Sequence, residues 1–383
     1  EYIHIGGDEA TKTEWEKCPK CQKRIRTEGL KNTEELQSYF IRRMEKFINA
    51  KGRKLIGWDE ILEGGLAPRA TVMSWRGYKG GIEAAEQGHD VVMTPLNPVY
   101  FNLYQGPVDM EPIAWGGYNP LNKVYDFDPV HESMSEEAAS HVLGGQANLW
   151  TEFITEKELA MYMTFPRMAA LSETLWTPKA LQDWTDFSQR LPQLFDRYDK
   201  MGINYAKSVY LVLPKAEMSV EDKTVSISLT SETPNPDIRY VLGDKKLTSE
   251  SKRYSEPVEI SETTIIKAAV FEDDQIMGKM FVDTLKFHQA TGKPVDYQTM
   301  YSDSYTGQGE YTLTNTVRGS KNFHDGQWQG WIDNDMEVII DLEQSQEIQK
   351  VSVGTLESQG AGIYFPVAVE VSTSTDGVKY EKQ

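Results

Sequence analysis

Short apolar runs alternate with helical spacings through the first two hundred residues of the chain. Ile3-His4-Ile5 stops at Gly6-Gly7, and KLIGW (54–58), TVMSW (71–75), DVVMT (90–94) and HVLGGQANLW (141–150) follow, each rich in β-branched or aromatic residues and each predicting a strand. Between the first two runs, Leu36, Phe40, Met44, Phe47 and Ile48 recur at three- and four-residue steps, with Asn32 placed to cap a helix and Gly52 to end it. Two further helices are predicted from about residue 158 to 176 and from about residue 181 to 201. Strands alternating with helices predict parallel strands joined by crossovers, in an open doubly wound sheet or a closed barrel.

The polar residues that end these strands favour the barrel. Asp8 and Glu9, Trp58, Trp75 and Trp150 close four of the five strands, and Tyr100 follows the remaining one. Eightfold α/β barrels gather their sites at the C-terminal ends of several strands, whereas doubly wound sheets concentrate ligands at one switch point. Five strands are visible, so residues 1–208 are expected to be the C-terminal half of a (β/α)8 barrel, the first three strands preceding Glu1. Beyond Tyr210 the period changes to two. TVSISLTS and TTIIKAAVF, separated by turns such as TPNPD and LGDKK, predict a small antiparallel β domain over 209–290. A linker near TGKPVD leads to a further all-β segment over 297–383 that contains EVIIDL and VAVEVSTSTDG. The fold class expected is multidomain, α/β followed by all-β.

Composition narrows the partners. The chain of 383 residues carries a net charge of −18, which argues against nucleic acid or an anionic membrane surface, since both are bound through clustered Lys and Arg. No apolar run reaches the roughly 18 residues that a membrane-spanning helix needs. Cys18 and Cys21 form a CPKC without a second ligand pair, so a local disulfide or a thiol pair is expected rather than zinc. No metal and no cofactor is expected: six histidines, none spaced as a pair, give a metal-dependent hydrolase little support.

The carboxylates and tryptophans carry the chemistry. Indole faces match the C–H faces of a pyranose while carboxylates and amides take its hydroxyls, so three strand-end tryptophans beside carboxylates suggest a sugar pocket. Adjacent residues of a strand point to opposite sides, and Asp8 and Glu9 can share a substrate only where the backbone turns, which Gly6 and Gly7 permit. Retaining glycosidases usually hold their two carboxyl groups about 5 to 5.5 Å apart on different strands. A neighbouring pair suits a substrate that supplies its own nucleophile. The carbonyl oxygen of a 2-acetamido sugar can attack C1 while one carboxylate orients the amide N–H and the other protonates the leaving oxygen.

HIGGDE (4–9), GWDE (57–60), SWRG (74–77), VYFN (99–102) and LWTE (149–152), in this order, resemble the family 20 glycoside hydrolases, the β-N-acetylhexosaminidases. The resemblance covers residues 1–208. It implies a retaining exo-enzyme that removes terminal GlcNAc or GalNAc from glycans through an oxazolinium intermediate. By position it makes Glu9 the general acid and base, Asp8 the partner of the acetamido N–H, and Tyr100 the donor to the acetamido oxygen. It sets Trp58, Trp75 and Trp150 as the pocket wall, with Asn102 and Glu152 taking hydroxyls on the C4 and C6 side. Asn102 stands where many members carry Asp, which bears on 6-substituted or charged sugars. His4 lies on the Asp8 side of its strand by period-two counting and is read as a brace.

Residues 210–290 resemble the small β domain, a β-sandwich, that follows the barrel in chitobiase-like members. Residues 297–383 resemble a truncated discoidin-like sandwich, in which Trp328 and Trp331 are expected in the core. The arginine that in the family grips O3 and O4 has no counterpart among these residues, so the upstream barrel half is expected to be required. Glycan-facing appendages imply an extracytoplasmic location. The competing reading is a non-catalytic glycan-binding or scaffold protein on the same barrel, which the presence of Asp8, Glu9 and Tyr100 disfavours.

Overall fold

The computed structural model describes residues 1–383. The chain forms two compact units, one of residues 1–106 and 113–206 and the other of residues 107–112 and 207–383.

The first unit is built on five parallel strands, β1 (Tyr2–His4), β2 (Lys54–Trp58), β3 (Thr71–Ser74), β4 (Val91–Met93) and β5 (Val142–Gly145), which neighbour one another in chain order. Order without reversal leaves no topological switch point, so the sheet is the singly wound kind that barrels use rather than the doubly wound kind. Strands covered on both faces read as continuous apolar runs, and all four residues of β3 are buried. Leu55, Val72, Val91 and Met93 are fully buried at the centre of the sheet. The last expected strand is shorter than its apolar run. The register slips between Val91 and Val92, Gly144 takes a φ of +138°, and pairing resumes only as a bridge between Tyr100 and Asn148.

Two helices depart from their patterns. Helix Thr33–Asn49 forms, with the Asn32 side chain accepting from Glu35 N at 3.0 Å, yet Phe40 and Phe47 of its expected apolar stripe are exposed. The buried side instead carries Gln37, Ser38, Ile41, Glu45 and Ile48. The polar members satisfy loop backbone: Gln37 Nε2 donates to Glu60 O at 3.2 Å, the Ser38 hydroxyl donates to Gly65 O, and Glu45 accepts from Arg69 N. Hydrogen bonding to buried loop backbone outweighs apolar spacing here, because unpaired buried groups cost more than an exposed phenyl ring. The single helix expected over 158–176 is two, Lys157–Thr164 and Arg167–Trp176. Pro166 pushes Phe165 into an extended conformation and ends the first. The last helix runs Trp184–Met201, starting at Asp183, whose carboxylate accepts from Thr185 N and Asp186 N.

In the second unit, β6 (Leu213–Ser219), β7 (Thr224–Thr230) and β10 (Val258–Ile260) form one antiparallel sheet. β8 (Ile238–Leu242), β9 (Lys252–Arg253), β11 (Thr264–Glu272), β12 (Gln275–Ile276) and β13 (Phe281–Leu285) form another. Val225, Ile227 and Leu229 are buried alternately along β7, the period-two burial that the sequence predicts. Residues 297–383 correct the sequence reading. The expected partial sandwich is reduced to β14 (Val295–Tyr297) paired with β15 (Val338–Ile340) and β16 (Ser372–Thr373) paired with β17 (Glu381–Lys382). Val367 and Val369 alternate as a strand should, but both are exposed, and alternation without a layer to bury against does not hold a strand. Trp328 and Trp331 are half-buried, their indole N–H groups donating to Ser320 O and Thr299 O.

Candidate active site

The turn after β1 places the adjacent carboxylates. β1 ends at His4, Gly6 and Gly7 take φ of +73° and +104°, and Glu9 itself sits at +49°, a left-handed value that non-glycine residues seldom adopt. This irregular path lets consecutive side chains leave the strand alternation. It lies against β2 backbone to backbone: Trp58 N donates to Gly6 O at 3.0 Å, and a Cβ on Gly57 would stand 2.9 Å from that same oxygen. A Cβ on Gly7 would meet Ile61 Cγ2 at 2.7 Å, so both glycines are required by close approach. His4 Nδ1 accepts from Gly6 N at 3.1 Å and so braces the turn. His4 is exposed in this chain, but its edge-on packing against Trp58 partly desolvates the ring and lowers its pKa from the ordinary value, against the opposing pull of the Asp8 charge. Neutral imidazole is the form that accepts this bond.

A second carboxylate pair, Asp59 and Glu60, follows Trp58 and is buried. Asp59 accepts from Trp75 N at 3.3 Å and Arg76 Nε at 3.1 Å. Glu60 receives the Trp75 indole N–H, at 3.0 and 3.3 Å to its two oxygens, and the Glu9 backbone N–H at 3.5 Å. Hydrogen bonds to charged acceptors contribute about 1.5–3 kcal/mol each when buried, enough to fix an indole rotamer. Glu60 thus joins the turn of Glu9 to the ring of Trp75.

The aromatic residues close a circuit at the same strand ends. His4 meets Trp58 edge-on at 4.7 Å, Trp58 meets Trp150 at 6.1 Å, Trp150 meets Tyr100 at 6.3 Å, and Tyr100 stacks on Trp75 at 6.3 Å. Tyr100 is buried, and burial foremost pushes its phenol pKa up, the nearby Asp59 and Glu60 charges adding to it while Asn148 and Trp150 oppose. It remains a neutral O–H donor at physiological pH. Asn148, whose Nδ2 is buried without a well-aligned partner, flanks that hydroxyl, and buried Asn102 carries an Oδ1 with no hydrogen-bond partner. Asp8, Glu9, Trp150 and Glu152 are exposed, and Trp58 and Trp75 half-buried. Contacts therefore join Glu9, Trp58, Trp75, Tyr100 and Trp150 into one cluster, with Asn102 beside it in the chain. Glu152 lies two residues past Trp150, its side chain in solvent.

A cavity of about 430 Å³ lies at the opposite ends of β2 to β4, lined by Arg53, Lys54, Arg69, His89 and Asp90. In barrel folds that face serves stability, and the chemistry belongs to the other.

Residues 1–179 match the model for glycosyl hydrolase family 20, catalytic domain. This segment belongs to glycosyl hydrolase family 20. The chain is 45% identical over 271 residues to a β-hexosaminidase of Porphyromonas gingivalis, an alignment covering 70% of this chain and 34% of that one. A β-hexosaminidase of Vibrio furnissii is 33% identical over 174 residues, or 45% of this chain and 28% of that one. Among solved structures, an inactive mutant of a GH20 exo-β-N-acetylglucosaminidase from Vibrio harveyi aligns with a TM-score of 0.50 and 32% identity, over 53% of this chain and 32% of that one. The chain thus spans about a third of the length of these relatives. Residues 227–285 match a model described as Fn3 associated, which lies in the β-rich second unit. For the family-20 segment, sequence reasoning missed Asp59, Glu60 and Arg76. The signal was present in GWDE, a strand end with the same carboxylate pair as HIGGDE, followed by the arginine of SWRG.

Proposed function

We propose that this chain carries the catalytic carboxylates and acetamido pocket of a retaining exo-β-N-acetylhexosaminidase acting on terminal GlcNAc or GalNAc of glycans. The observation that supports it best is the circuit of Trp58, Trp150, Tyr100 and Trp75, linked through Glu60 to the turn that bears Asp8 and Glu9. A pyranose needs apolar walls, and its 2-acetamido group needs one donor for its oxygen and one acceptor for its nitrogen. Tyr100 supplies the donor and Asp8 the acceptor.

In the first step the acetamido oxygen attacks C1 as the C1–O glycosidic bond breaks, and the Glu9 carboxyl gives its proton to the departing oxygen. Asp8 accepts the acetamido N–H and balances the positive charge of the oxazolinium. In the second step water attacks C1, the Glu9 carboxylate takes its proton, and the C1–O bond of the oxazolinium reopens to the acetamide. Two inversions give net retention without a sugar–protein bond. Tyr100 and Asp8 act where charge develops, the arrangement that lowers a barrier rather than only tightening binding.

The reading extends to the rest of the enzyme. β1 pairs only with β2. Its free edge is where strands carrying the grip on O3 and O4 would pair, and full turnover is expected to need them. Glycan substrates favour an extracytoplasmic location, which cell fractionation tests. The deciding experiment uses the enzyme with its complete barrel and N-acetylglucosaminides bearing zero to three fluorines on the acetyl group. Rates should fall progressively with fluorination, and a glucoside should hardly react. Equal rates for glucoside and N-acetylglucosaminide, or a trapped sugar adduct on a side chain, would overturn the mechanism.

A further inference from the structure

The turn that carries Tyr100 and Asn102 has little regular structure beneath it. It follows β4, and its ladder contacts are isolated bridges, Tyr100 to Asn148 and Tyr104 to Tyr118, with Phe101 N donating to Asn148 O at 2.7 Å and Trp115 N to Asn102 O at 3.2 Å. The carbonyls these contacts leave over are held by Arg167, the first residue of helix Arg167–Trp176 and completely buried. Its Nη2 donates to Phe101 O, its Nη1 donates to Leu103 O and Asn119 O, both at 3.1 Å, and its plane lies 4.8 Å from the Phe101 ring centre. Nε and Nη2 also return to Met163 O, at 3.2 and 2.6 Å, which ties the group to the preceding helix. Asn119, itself buried, extends the same cluster by donating Nδ2 to Leu96 O at 2.9 Å and Tyr100 O at 3.1 Å.

The carbonyls of Tyr100, Phe101 and Leu103, on either side of Asn102, are therefore fixed by one buried polar cluster. A guanidinium removed from water costs several kcal/mol unless its donors are met. Only its planar fork of five N–H groups reaches this many backbone acceptors at once. Lysine offers a point charge with different directions, and methionine fills the volume but orphans the carbonyls. With the carbonyls of Tyr100, Phe101 and Leu103 all held, the backbone dihedrals on both sides of Asn102 are fixed, and with them the Cα–Cβ directions from which the Tyr100 and Asn102 side chains start.

We infer that Arg167 is a positioning residue for the sugar pocket, acting on turnover through Tyr100 and Asn102 rather than by touching substrate. The inference rests on the function proposed above for its kinetic part and on the structure alone for its mechanical part.

The mechanical part is tested by hydrogen exchange on the enzyme with its complete barrel. In Arg167→Lys, and in Arg167→Met if it folds, the amides of residues 99–104 should exchange about tenfold faster while those of β2 and β3 keep their protection. Unchanged exchange at 99–104, or loosening of the whole sheet, would overturn the inference. The kinetic part uses the enzyme with its complete barrel. Arg167→Lys should lower kcat on a chromogenic N-acetylglucosaminide by roughly 10–100-fold with KM nearly unchanged, as a misplacement of about 1 Å does. In a Tyr100→Phe background the same change should cost less than about threefold, because residues acting as one unit are not additive. Equal losses in the two backgrounds would show a general structural defect and refute positioning. A parent enzyme inactive on N-acetylhexosaminides would refute the proposed function and the kinetic part together, and the exchange result would still decide the mechanical part.

Discussion

Valines at strand-like spacing occur both in residues 1–206 and in residues 298–383, and they fare in opposite ways. Val72 and Val91 are fully buried in parallel strands, whereas Val351, Val353, Val367 and Val369 are all more than 40% exposed. Local pattern does not separate them. The first region differs in joining its five strands in one sheet and in having buried polar anchors at three of its strand-end loops. Glu60 holds the loop after β1, Ser74 accepts from Gly81 N and donates to Gly77 O after β3, and Arg167 holds the turn after β4. Alternation proposes a strand; pairing partners and satisfied loop ends decide whether it forms.

The largest effect expected from breaking the anchored region is chemical. In the complete enzyme, Glu9→Gln should lower kcat by about 10²–10⁴-fold for substrates whose leaving group needs a proton, with the loss shrinking as leaving-group acidity rises. Asp8→Asn should be damaging whatever the leaving group, because it acts on the acetamido nitrogen. A rate series over phenols of graded pKa separates the two. The same slope for both variants would sink the division of roles.

Much of this region was legible from residues alone, for identifiable reasons. The five strands were read because β-branched runs ending in glycine or tryptophan have few alternatives, and the turn at Gly6-Gly7 because adjacent carboxylates cannot otherwise share a face. The buried side of helix Thr33–Asn49 was not legible. Its polar contacts are with loop carbonyls and amides 20 to 30 positions away, Gln37 with Glu60 and Ser38 with Gly65, and no periodicity encodes them. Arg167 was hidden for the same reason: its acceptors are backbone oxygens, which every sequence has. The truncated sandwich expected over 297–383 is not confirmed: alternation is visible in the sequence, but these residues show only two short strand pairs.

A stability comparison sharpens the contrast between the regions. Ile61 is fully buried against Gly7 and Gly57, at the turn that presents the carboxylates. Ile61→Ala should cost about 2–5 kcal/mol, the usual range for a buried isoleucine whose site cannot collapse. Val367→Ala, at a position wholly in solvent, should stay within about 0.5 kcal/mol. Urea titration of the two variants measures both. A cost above about 1 kcal/mol at Val367 would mean that its segment has a packing partner under the conditions of the experiment.

The smallest effect expected is a pH dependence at the brace of the anchored turn. His4 Nδ1 accepts from Gly6 N–H, and its ring is packed edge-on against Trp58, with the Asp8 carboxylate the charge that favours its protonation. Partial desolvation against Trp58 outweighs that charge and keeps the folded pKa below the ordinary value of 6.5. A histidine depressed in this way favours the fold while neutral. Its contribution is complete above the unfolded pKa and is lost as pH falls through the lower folded value, where the imidazolium has no lone pair for Gly6. His4→Gln keeps an acceptor that does not titrate in this range. The difference in melting temperature between pH 7 and pH 5 should therefore be smaller in His4→Gln than in the parent, and the acid limb of turnover shallower. Identical pH dependence in the two proteins would show that His4 does not titrate as a brace and that the turn is held by Gly6, Gly7 and Ile61 alone.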